Sequence, residues 1–154
     1  MTITFNRLPD NELPLPSYAT SGSAALDLSA CLTRLKRQNL CGDTICPIKL
    51  SPGEIVLIPT GYKVSFKNAV LKIFIRSSLS LKGLTLANNV GIIDSDYRGE
   101  LFIAMKNESK YSLFIDHGQR IAQAILEPLV QCEIAEGTVD VTIRGEGGFG
   151  STGH

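Results

Sequence analysis

The sequence predicts a single all-β domain with one short helix. Its 154 residues suit one domain that can bury a sizeable core. Short runs rich in β-branched and aromatic residues recur at intervals of about ten residues, separated by Pro, Gly, Asn or Asp, as in an all-β sandwich or barrel. Apolar side chains alternate along several runs, so Ile73 and Ile75 share one face of a strand, as do Val64 and Phe66.

The apolar runs define the predicted strands in chain order. They are residues 3–5, 54–58, 62–66, 70–75, 101–105, 112–115, 120–126 and 139–143. The best helical stretch is SSLSLKG, in which Ser77 can act as the N-cap and Gly83 as the stop, for about two turns at most. Residues 31–52 break the rhythm of strands, and we expect a surface excursion to which no function is assigned.

Charge and hydropathy disfavour two classes of partner. Fifteen basic and fifteen acidic residues cancel, so the chain has no global field to hold a polyanion, and we expect no nucleic-acid partner. The sequence contains no run of about 18 apolar residues and no apolar N-terminal stretch of signal-peptide length. We therefore expect a cytoplasmic protein with no membrane partner.

The cysteines and histidines do not form a recognisable metal site or catalytic triad. The chain has four cysteines, Cys31, Cys41, Cys46 and Cys132. Their spacing matches no tight zinc motif, and we expect reduced thiols in an intracellular setting. His117 falls in a predicted turn and His154 is the last residue, so neither a histidine metal triad nor a Ser-His-Asp arrangement is easily built.

The segment NNVGIIDSDYRGE, residues 88–100, holds the strongest candidate for a catalytic group. Asp94 stands where an apolar run stops, so a rigid strand end can hold its carboxylate as a general base, partly desolvated by the preceding isoleucines. Tyr97 offers a rigid ring that can support the flat face of a base or sugar. The alternative is a polar hairpin turn whose aspartates bond their own backbone.

Three further segments carry weaker candidates. In IRSSLSLKG, Arg76 and the serines at a helix start can form an anion site, although Ser-rich helix starts are also common caps. GQRIAQ places Gln123 on a strand, where a glutamine usually faces solvent. SGSAALDLSA places Asp27 among small residues that allow another chain to approach closely, or in a turn beside a strand.

The C-terminal segment RGEGGFGSTG, residues 144–153, has five glycines around a single aromatic residue, Phe149. Glycine offers no side chain to a core and loses the most backbone freedom on ordering, so a packing role is a poor explanation. A disordered terminus is one alternative. An aromatic residue flanked by glycines instead indicates a segment that wraps around another group, which its sequence alone does not identify.

In order along the chain, SGSAALDLSA, RSSLSLKG, GIIDSDYRGE, GQRIAQ and RGEGGFGSTG resemble the five motifs of the trimeric deoxyuridine triphosphatase (dUTPase) family, and they span residues 22–153. The resemblance implies a jelly-roll-like β-barrel that assembles as a homotrimer. It also implies a barrel domain at residues 1–143 and a flexible arm at residues 144–154. In the family, the first, second and fourth motifs of a site come from one subunit, the third from a second subunit and the arm from the remaining one.

The activity that the resemblance implies is Mg²⁺-assisted hydrolysis of dUTP to dUMP and pyrophosphate, which limits uracil in DNA and supplies dUMP for dTMP synthesis. Asp94 would activate the water that attacks the α-phosphorus. Tyr97 would lie beneath the deoxyribose and leave no room for a 2′-hydroxyl. Asn88 and Gly91 would belong to a hairpin pocket that binds uracil and rejects thymine by a clash with its methyl group.

The resemblance also implies phosphate and metal contacts. Asp27 would reach Mg²⁺ through bound waters. The same metal is favoured because the substrate is a triphosphate, the candidate ligands are oxygen atoms, and the chain has no His or Cys cluster. Phe149 would stack on the uracil when the arm closes. The implied phosphate-binding residues are Arg76, Ser77, Ser78, Gln123, Arg144, Gly150, Ser151 and Thr152. The implied partners are dUTP, dUMP and other copies of the chain.

The chain departs from the usual family pattern at three positions, where Ala25 replaces Gly, Ile75 replaces Pro and Ser78 replaces Gly. A rival within the fold superfamily is dCTP deaminase, which would need a glutamate for deamination and a different loop in place of DSDYRG. An oligonucleotide-binding barrel is opposed by zero net charge and 6% aromatic residues. A dUTPase-like regulator that binds nucleotide without depending on turnover stays open.

Overall fold

The computed structural model describes residues 1–35, 40–41 and 44–149 of the chain. The fold is mostly β. Its strands are β1 (Thr4–Arg7), β2 (Leu26–Ser29), β3 (Leu40–Cys41), β4 (Thr44–Ile45), β5 (Ile48–Leu50), β6 (Ile55–Ser65), β7 (Ala69–Ile75), β8 (Leu84–Leu86), β9 (Gly91–Ile93), β10 (Glu100–Asn107), β11 (Leu113–Ile115) and β12 (Arg120–Pro128). A 3₁₀ helix, Leu32–Leu35, and one short α-helix, α1 (Ser77–Ser80), complete the described elements.

Two four-stranded antiparallel sheets form the body of the fold, in the orders β1-β6-β10-β8 and β2-β12-β7-β9. Two smaller pairs join β11 to β5 and β3 to β4. Through the described strands none of these sheets closes on itself, so the jelly-roll-like barrel implied by the resemblance is not present as a closed ring of paired strands. The edge strands β8 and β9 have three residues each, which leaves few backbone groups to pair with a further strand.

The core lies between the two larger sheets, because one cluster of buried apolar side chains takes members from both. Strand β10 contributes Leu101, Ile103 and Met105 from one sheet, and all three are almost fully buried. From the other sheet, Leu71 and Ile73 are buried to a similar degree. Burying each side chain of this size contributes about 1.5–3 kcal/mol. The alternation predicted from the sequence therefore holds on both sides of the core.

Strand β6 is one long strand where the sequence predicts two. The prediction stops at residue 58 and restarts at 62 because Pro59 and Gly61 interrupt strand patterns. In the structure the pairing of β10 with β6 jumps from Glu100–Lys63 to Phe102–Pro59, so extra residues of β6 bulge out of the ladder. Gly61 adopts φ +75°, a left-handed conformation that suits glycine at a bulge.

Residues 31–52 are more than a surface excursion. Leu32, Ile48 and Leu50 are buried in the core, and β5 pairs with β11. Residues 36–39 and 42–43 of the excursion lie outside the described part. The expectation of reduced thiols is wrong for Cys46, which is disulfide-bonded, whereas Cys31 and Cys132 are free. Cysteine spacing alone did not reveal this, because a disulfide depends on which backbones the fold brings together.

The predicted strand at residues 139–143 is not formed. Residues 129–149 contain no strand or helix, and Val139, Val141 and Ile143 are more than nine-tenths exposed. A strand needs a neighbour to pair with its backbone, and alternating apolar residues alone do not supply one. Conversely, β2, β5 and β8 were missed, since they are short and LDLS contains residues that are uncommon in strands.

Helix α1 is one turn long, and its N-cap is Arg76 in an extended conformation rather than the predicted Ser77. Arg76 makes no side-chain cap hydrogen bond. The predicted stop at Gly83 is confirmed in part: the helix ends at Ser80, and Gly83 follows with φ +87°. No helix in the described part of the chain has the length and apolar character needed to cross a bilayer.

Candidate functional site

A cavity of about 390 Å³ opens where three neighbouring strands bring Asp27, Arg76 and Gln123 together. Strand β12 lies between β2 and β7, and its Gln123 is directly opposite Asp27 on one side and Phe74 on the other. Arg76 follows the end of β7, next to the same place. The sheet therefore gathers residues of the first, second and fourth predicted motifs, which are far apart in sequence.

Small side chains open one wall of this cavity. Ala24 and Ala25 line it just before β2, together with Ala19 and Ser23. Methyl and hydroxymethyl groups let a ligand approach the backbone closely. Ala25, where the resemblance implies a glycine, lies on this wall.

Asp27 is held by two arginines. Its Oδ1 lies 3.2 Å from Nε of Arg76, and its Oδ2 accepts a hydrogen bond of 2.9 Å from Nη1 of Arg120. Of the two guanidinium groups, that of Arg76 lines this cavity and can offer a forked donor to an anion. The Asp27 side chain is 17% exposed, which strengthens both contacts relative to a fully solvated pair.

Arg120 was missed by the sequence prediction. GQRIAQ drew attention to Gln123, whereas Arg120 reads as an ordinary exposed residue at a strand start. In the structure it pairs with Ser29, and a register shift between Arg120 and Ala122 separates it from the regular ladder. Its guanidinium reaches Asp27 on the neighbouring strand, and nothing in the sequence indicates this contact. Gln123 Nε2 donates a long hydrogen bond of 3.5 Å to the Ile75 carbonyl.

The serines at the start of α1 lie beside Arg76. Ser77 and Ser78 are exposed, while Leu79 is 3% exposed and anchors the turn to the core. The first N–H groups of an α-helix lack partners within the helix. Arg76 lines the cavity and these donors directly follow it in the chain, although the single turn carries little dipole of its own.

The segment after β9 forms a second cluster. Asp94 is exposed directly after β9, so the desolvation expected from its neighbouring isoleucines is not present within one chain. Its backbone carbonyl accepts a hydrogen bond of 3.2 Å from the Tyr97 N–H. The Tyr97 ring is 42% exposed, and its hydroxyl donates to the Glu100 carbonyl at 2.9 Å.

A small cavity of about 50 Å³ lies beside Asn88 and Gly91, with Ile92 and Phe102 on its walls. Gly91 is opposite Ile73, and a Cβ at position 91 would stand 3.0 Å from the Ile73 Cβ. A side chain at position 91 would therefore require the Ile73 side chain to shift by a few tenths of an ångström. Asn88 is exposed at the entrance.

In the described part of the chain, the two clusters line different cavities. Asp27, Arg76 and Gln123 share the larger one, Asn88 and Gly91 share the smaller one, and Asp94 lines neither. The separation has a simple origin in topology, since β9 is at the edge of its sheet while β2 is at the opposite edge.

The described part of the C-terminal segment, residues 144–149, is exposed or only partly buried. Arg144 Nε donates a hydrogen bond of 2.8 Å to the Gly147 carbonyl within a local turn. Phe149 is fully exposed and has φ +50°. The remaining predicted contacts of the arm, Gly150, Ser151 and Thr152, lie outside the described residues.

Comparison with known proteins identifies the family. The dUTPase family model matches residues 11–153. The deoxyuridine 5'-triphosphate nucleotidohydrolase of Hahella chejuensis is 45% identical over 148 residues, which cover 93% of this chain and 89% of the relative. The crystal structure of the Streptococcus mutans dUTPase has a TM-score of 0.70 and 32% identity, covering 84% of this chain and 98% of its own.

A second solved structure is the Staphylococcus bacteriophage 80alpha dUTPase with dUPNHPP. It has a TM-score of 0.77 and 25% identity, and the match covers 99% of each chain. The family model, the curated relative and the solved structures agree, and the match extends over almost all of the chain. The chain belongs to the dUTPase family.

Proposed function

We propose that this protein hydrolyses dUTP to dUMP and pyrophosphate. The observation that carries the proposal is the cavity in which Asp27, Arg76 and Gln123 meet, in a chain 45% identical to a named deoxyuridine 5'-triphosphate nucleotidohydrolase. The Arg76 guanidinium in this cavity, with Ser77 and Ser78 next to it in sequence, suits a triphosphate. The cellular consequence is less uracil available for incorporation into DNA and a supply of dUMP for dTMP synthesis.

The triphosphate is bound at the larger cavity in this proposal. Arg76 leaves Asp27 and turns its guanidinium to the phosphate oxygens, since a bidentate contact with phosphate is at least as favourable as its contact with a carboxylate. Ser77 and Ser78 add hydroxyl and backbone donors. Gln123 reaches the α-phosphate, because its long hydrogen bond to Ile75 is weak and readily exchanged.

Mg²⁺ fits the donor set if phosphate and water hold most of its coordination sphere. No group of three or more His, Cys, Asp or Glu side chains able to hold a metal exists among the described residues. Asp27 has one carboxylate and faces the cavity, so it is the residue to bind a metal-bound water. When bound, Mg²⁺ neutralises phosphate charge that develops during the reaction.

The chemical step is assigned to Asp94. Its carboxylate accepts a proton from a water molecule, whose oxygen forms a bond to the α-phosphorus. The bond between the α-phosphorus and the oxygen that bridges to the β-phosphate breaks, and pyrophosphate leaves with that oxygen. Asp94 suits this role because it is accessible to solvent and fixed at the end of β9.

The base and the sugar are recognised by the second cluster. Asn88 and the backbone around Gly91, which share the smaller cavity, bind the uracil edge. The Tyr97 ring lies under the deoxyribose and excludes a 2′-hydroxyl. The arm at residues 144–154 closes over the substrate, with Phe149 on the uracil and Arg144, Gly150, Ser151 and Thr152 on the β- and γ-phosphates.

A homotrimer with shared sites explains why the two clusters line different cavities in one chain. Two further observations support association. Ile55, Leu57, Ile92 and Phe102 are large apolar residues that are 43% to 60% exposed on β6, β9 and β10. The alternating Val139, Val141 and Ile143 have the pattern of a strand but no partner within the described chain. Exposed apolar surface of this kind marks interfaces.

A pyrophosphate-release assay with dUTP, dCTP, dTTP and UTP, with and without Mg²⁺, tests the proposal. We expect dUTP to be turned over much faster than the other three nucleotides, and only with the metal. Preferential pyrophosphate release from dCTP would overturn the assignment, and binding of dUTP without turnover, measured by calorimetric titration, would identify a regulator. Light scattering coupled to size-exclusion chromatography tests the trimer, and a monomeric active protein would refute it.

A further inference from the structure

Glu100 carries a largely buried carboxylate that the proposed reaction does not use. Its side chain is 10% exposed. Oε1 accepts a hydrogen bond of 3.0 Å from the Gly61 N–H, and Oε2 lies 3.5 Å from Nη2 of Arg34. A carboxylate removed from water is costly unless it is paired and hydrogen-bonded, as this one is. These two contacts fix the Glu100 side chain, and the backbone of the same residue holds another group in place.

The backbone of Glu100 holds Tyr97. The Tyr97 hydroxyl donates to the Glu100 carbonyl at 2.9 Å, so the ring folds back over the hairpin. A Cβ at Gly99 would stand 2.2 Å from the Tyr97 oxygen, and only a residue without a side chain leaves room for the ring. The acceptor for the tyrosine hydroxyl therefore belongs to the same residue whose side chain is tied down.

The groups that tie down Glu100 are themselves fixed. Arg34, in the 3₁₀ helix, donates from Nη1 to the Pro9 carbonyl at 3.1 Å. Gly61 accepts a hydrogen bond of 2.9 Å at its carbonyl from Nδ2 of Asn11, which is 4% exposed. Glu100 is thus connected to two separate segments of the chain, neither of which belongs to the hairpin.

The neighbouring thiol does not compete for Arg34. Burial raises the pKa of the Cys31 thiol, and the negative charge of Glu100 raises it further. Cys31 therefore stays neutral at physiological pH, and its Sγ contacts the Thr33 hydroxyl at 3.2 Å. The Arg34 charge remains available to Glu100.

We propose that Arg34 and Glu100 are positioning residues that fix the Tyr97 ring and thereby sharpen the selection of deoxyribose over ribose. The inference rests on the proposed contact of Tyr97 with the sugar. A rigid ring excludes a 2′-hydroxyl by contact, whereas a ring that can move aside by a fraction of an ångström does not. The pair acts through Tyr97 and touches no reacting atom, so its loss affects selectivity more than the rate with dUTP.

The test compares Glu100→Gln and Arg34→Gln with wild type. Glu100→Gln keeps an oxygen that can accept from the Gly61 N–H and removes the charge, so gross unfolding is avoided. Arg34→Lys restores a cation and is the rescue variant. Glu108→Gln is the control, because it breaks an exposed ion pair of 3.1 Å with Lys106 at the far end of the same strand. For each variant, kcat and KM are measured with dUTP and UTP.

We expect the ratio of kcat/KM for dUTP to that for UTP to fall about tenfold in both Gln variants, mainly through a lower KM for UTP. Arg34→Lys recovers most of the ratio and Glu108→Gln leaves it unchanged. Hydrogen exchange at residues 94–100, measured without substrate, becomes faster only in the two Gln variants. Lower thermal stability with an unchanged ratio and unchanged exchange at 94–100 would show a merely structural pair and overturn the inference.

The exchange measurement separates this inference from the proposed function. If wild type does not hydrolyse dUTP, the proposed function fails, whereas faster exchange at residues 94–100 in both Gln variants still supports the positioning of the hairpin. Unchanged exchange in both variants overturns the inference whether or not the enzyme is active.

Discussion

Asp27 lies between Arg76 and Arg120, and its closest contact is the 2.9 Å hydrogen bond between its Oδ2 and Nη1 of Arg120. The two arginines come from different places, since Arg120 begins β12 and Arg76 follows β7. When a triphosphate arrives, one arginine can turn to it while the other keeps Asp27 aligned. In the proposed reaction Arg120 therefore acts through Asp27 and does not need to touch the substrate.

Arg120→Gln should weaken the response to Mg²⁺ because Asp27 loses the group that orients it. We expect kcat/KM for dUTP to fall about tenfold, which is the scale of one lost charge-assisted hydrogen bond. We also expect a higher Mg²⁺ concentration to be needed for the half-maximal rate. Steady-state kinetics over a series of Mg²⁺ concentrations measure this. Lys72→Gln, which breaks the exposed ion pair with Glu127, is the control. A normal Mg²⁺ response in Arg120→Gln would contradict the assignment.

Asp94→Asn should abolish most turnover and leave dUTP binding largely intact. The amide has nearly the same shape but cannot take a proton from water, so we expect a loss of about 10²–10⁴ in kcat. Pyrophosphate release gives the rate, and calorimetric titration with dUTP gives the affinity. Asp96→Asn, an exposed carboxylate in the same hairpin, is the matched control. A rate close to wild type in Asp94→Asn removes Asp94 as the base.

Mixing two inactive variants tests whether sites are shared between subunits. Asp27→Asn and Asp94→Asn damage the two clusters that line different cavities in one chain. If a site takes Asp27 from one subunit and Asp94 from another, random reassembly of the two variants restores about a quarter of the sites. Activity after co-refolding an equimolar mixture, compared with each variant refolded alone, measures this. Absence of any recovery, with mixed oligomers present, would show that each site lies within one chain.

Sequence patterns predicted the features that depend on neighbours within a strand. The shared face of Val64 and Phe66 is one example, since both are buried in the core. Features that depend on strands far apart in sequence were not predicted. Strand β6 continues past Pro59 and Gly61 because its pairing with β10 accommodates a bulge at these residues. The sequence of β6 alone does not predict that β10 is its partner.

The candidate site likewise combines residues that the sequence identified with contacts that depend on strands far apart in sequence. Asp27 and Gln123 were singled out by motif, and their direct opposition across β2 and β12 follows from strand order. Arg120 was missed because its contact with Asp27 joins two strands that are far apart in sequence. The strand predicted at residues 139–143 failed for a related reason: alternation identifies a face that must be covered, but it does not say whether the same chain covers it.

Removal of residues 145–154 should leave the domain folded and cripple hydrolysis. The described part of this segment, up to Phe149, is exposed or only partly buried, so its loss removes little core packing. We expect an unchanged melting temperature and at least about a hundredfold loss in kcat/KM, as for a missing active-site lid. Phe149→Ala, which keeps the arm, should show a smaller loss. If the truncated protein melts much earlier than wild type, the segment is structural rather than a lid.

Stability should decrease in mild acid because of His117. Its Nδ1 accepts a hydrogen bond of 3.0 Å from the Leu32 N–H, which only an unprotonated Nδ1 can do. Burial lowers the pKa of His117, although Glu12 opposes the shift. Its stabilising contribution is therefore complete above the unfolded pKa of about 6.5 and is lost as pH falls through the lower folded pKa. We expect a loss of about 1 kcal/mol in the free energy of unfolding between pH 7.5 and pH 5, the scale of one hydrogen bond, measured by urea denaturation.

In His117→Asn the side-chain oxygen can replace Nδ1 as acceptor without titrating, so a pH dependence as steep as wild type in that variant would assign the effect to other groups.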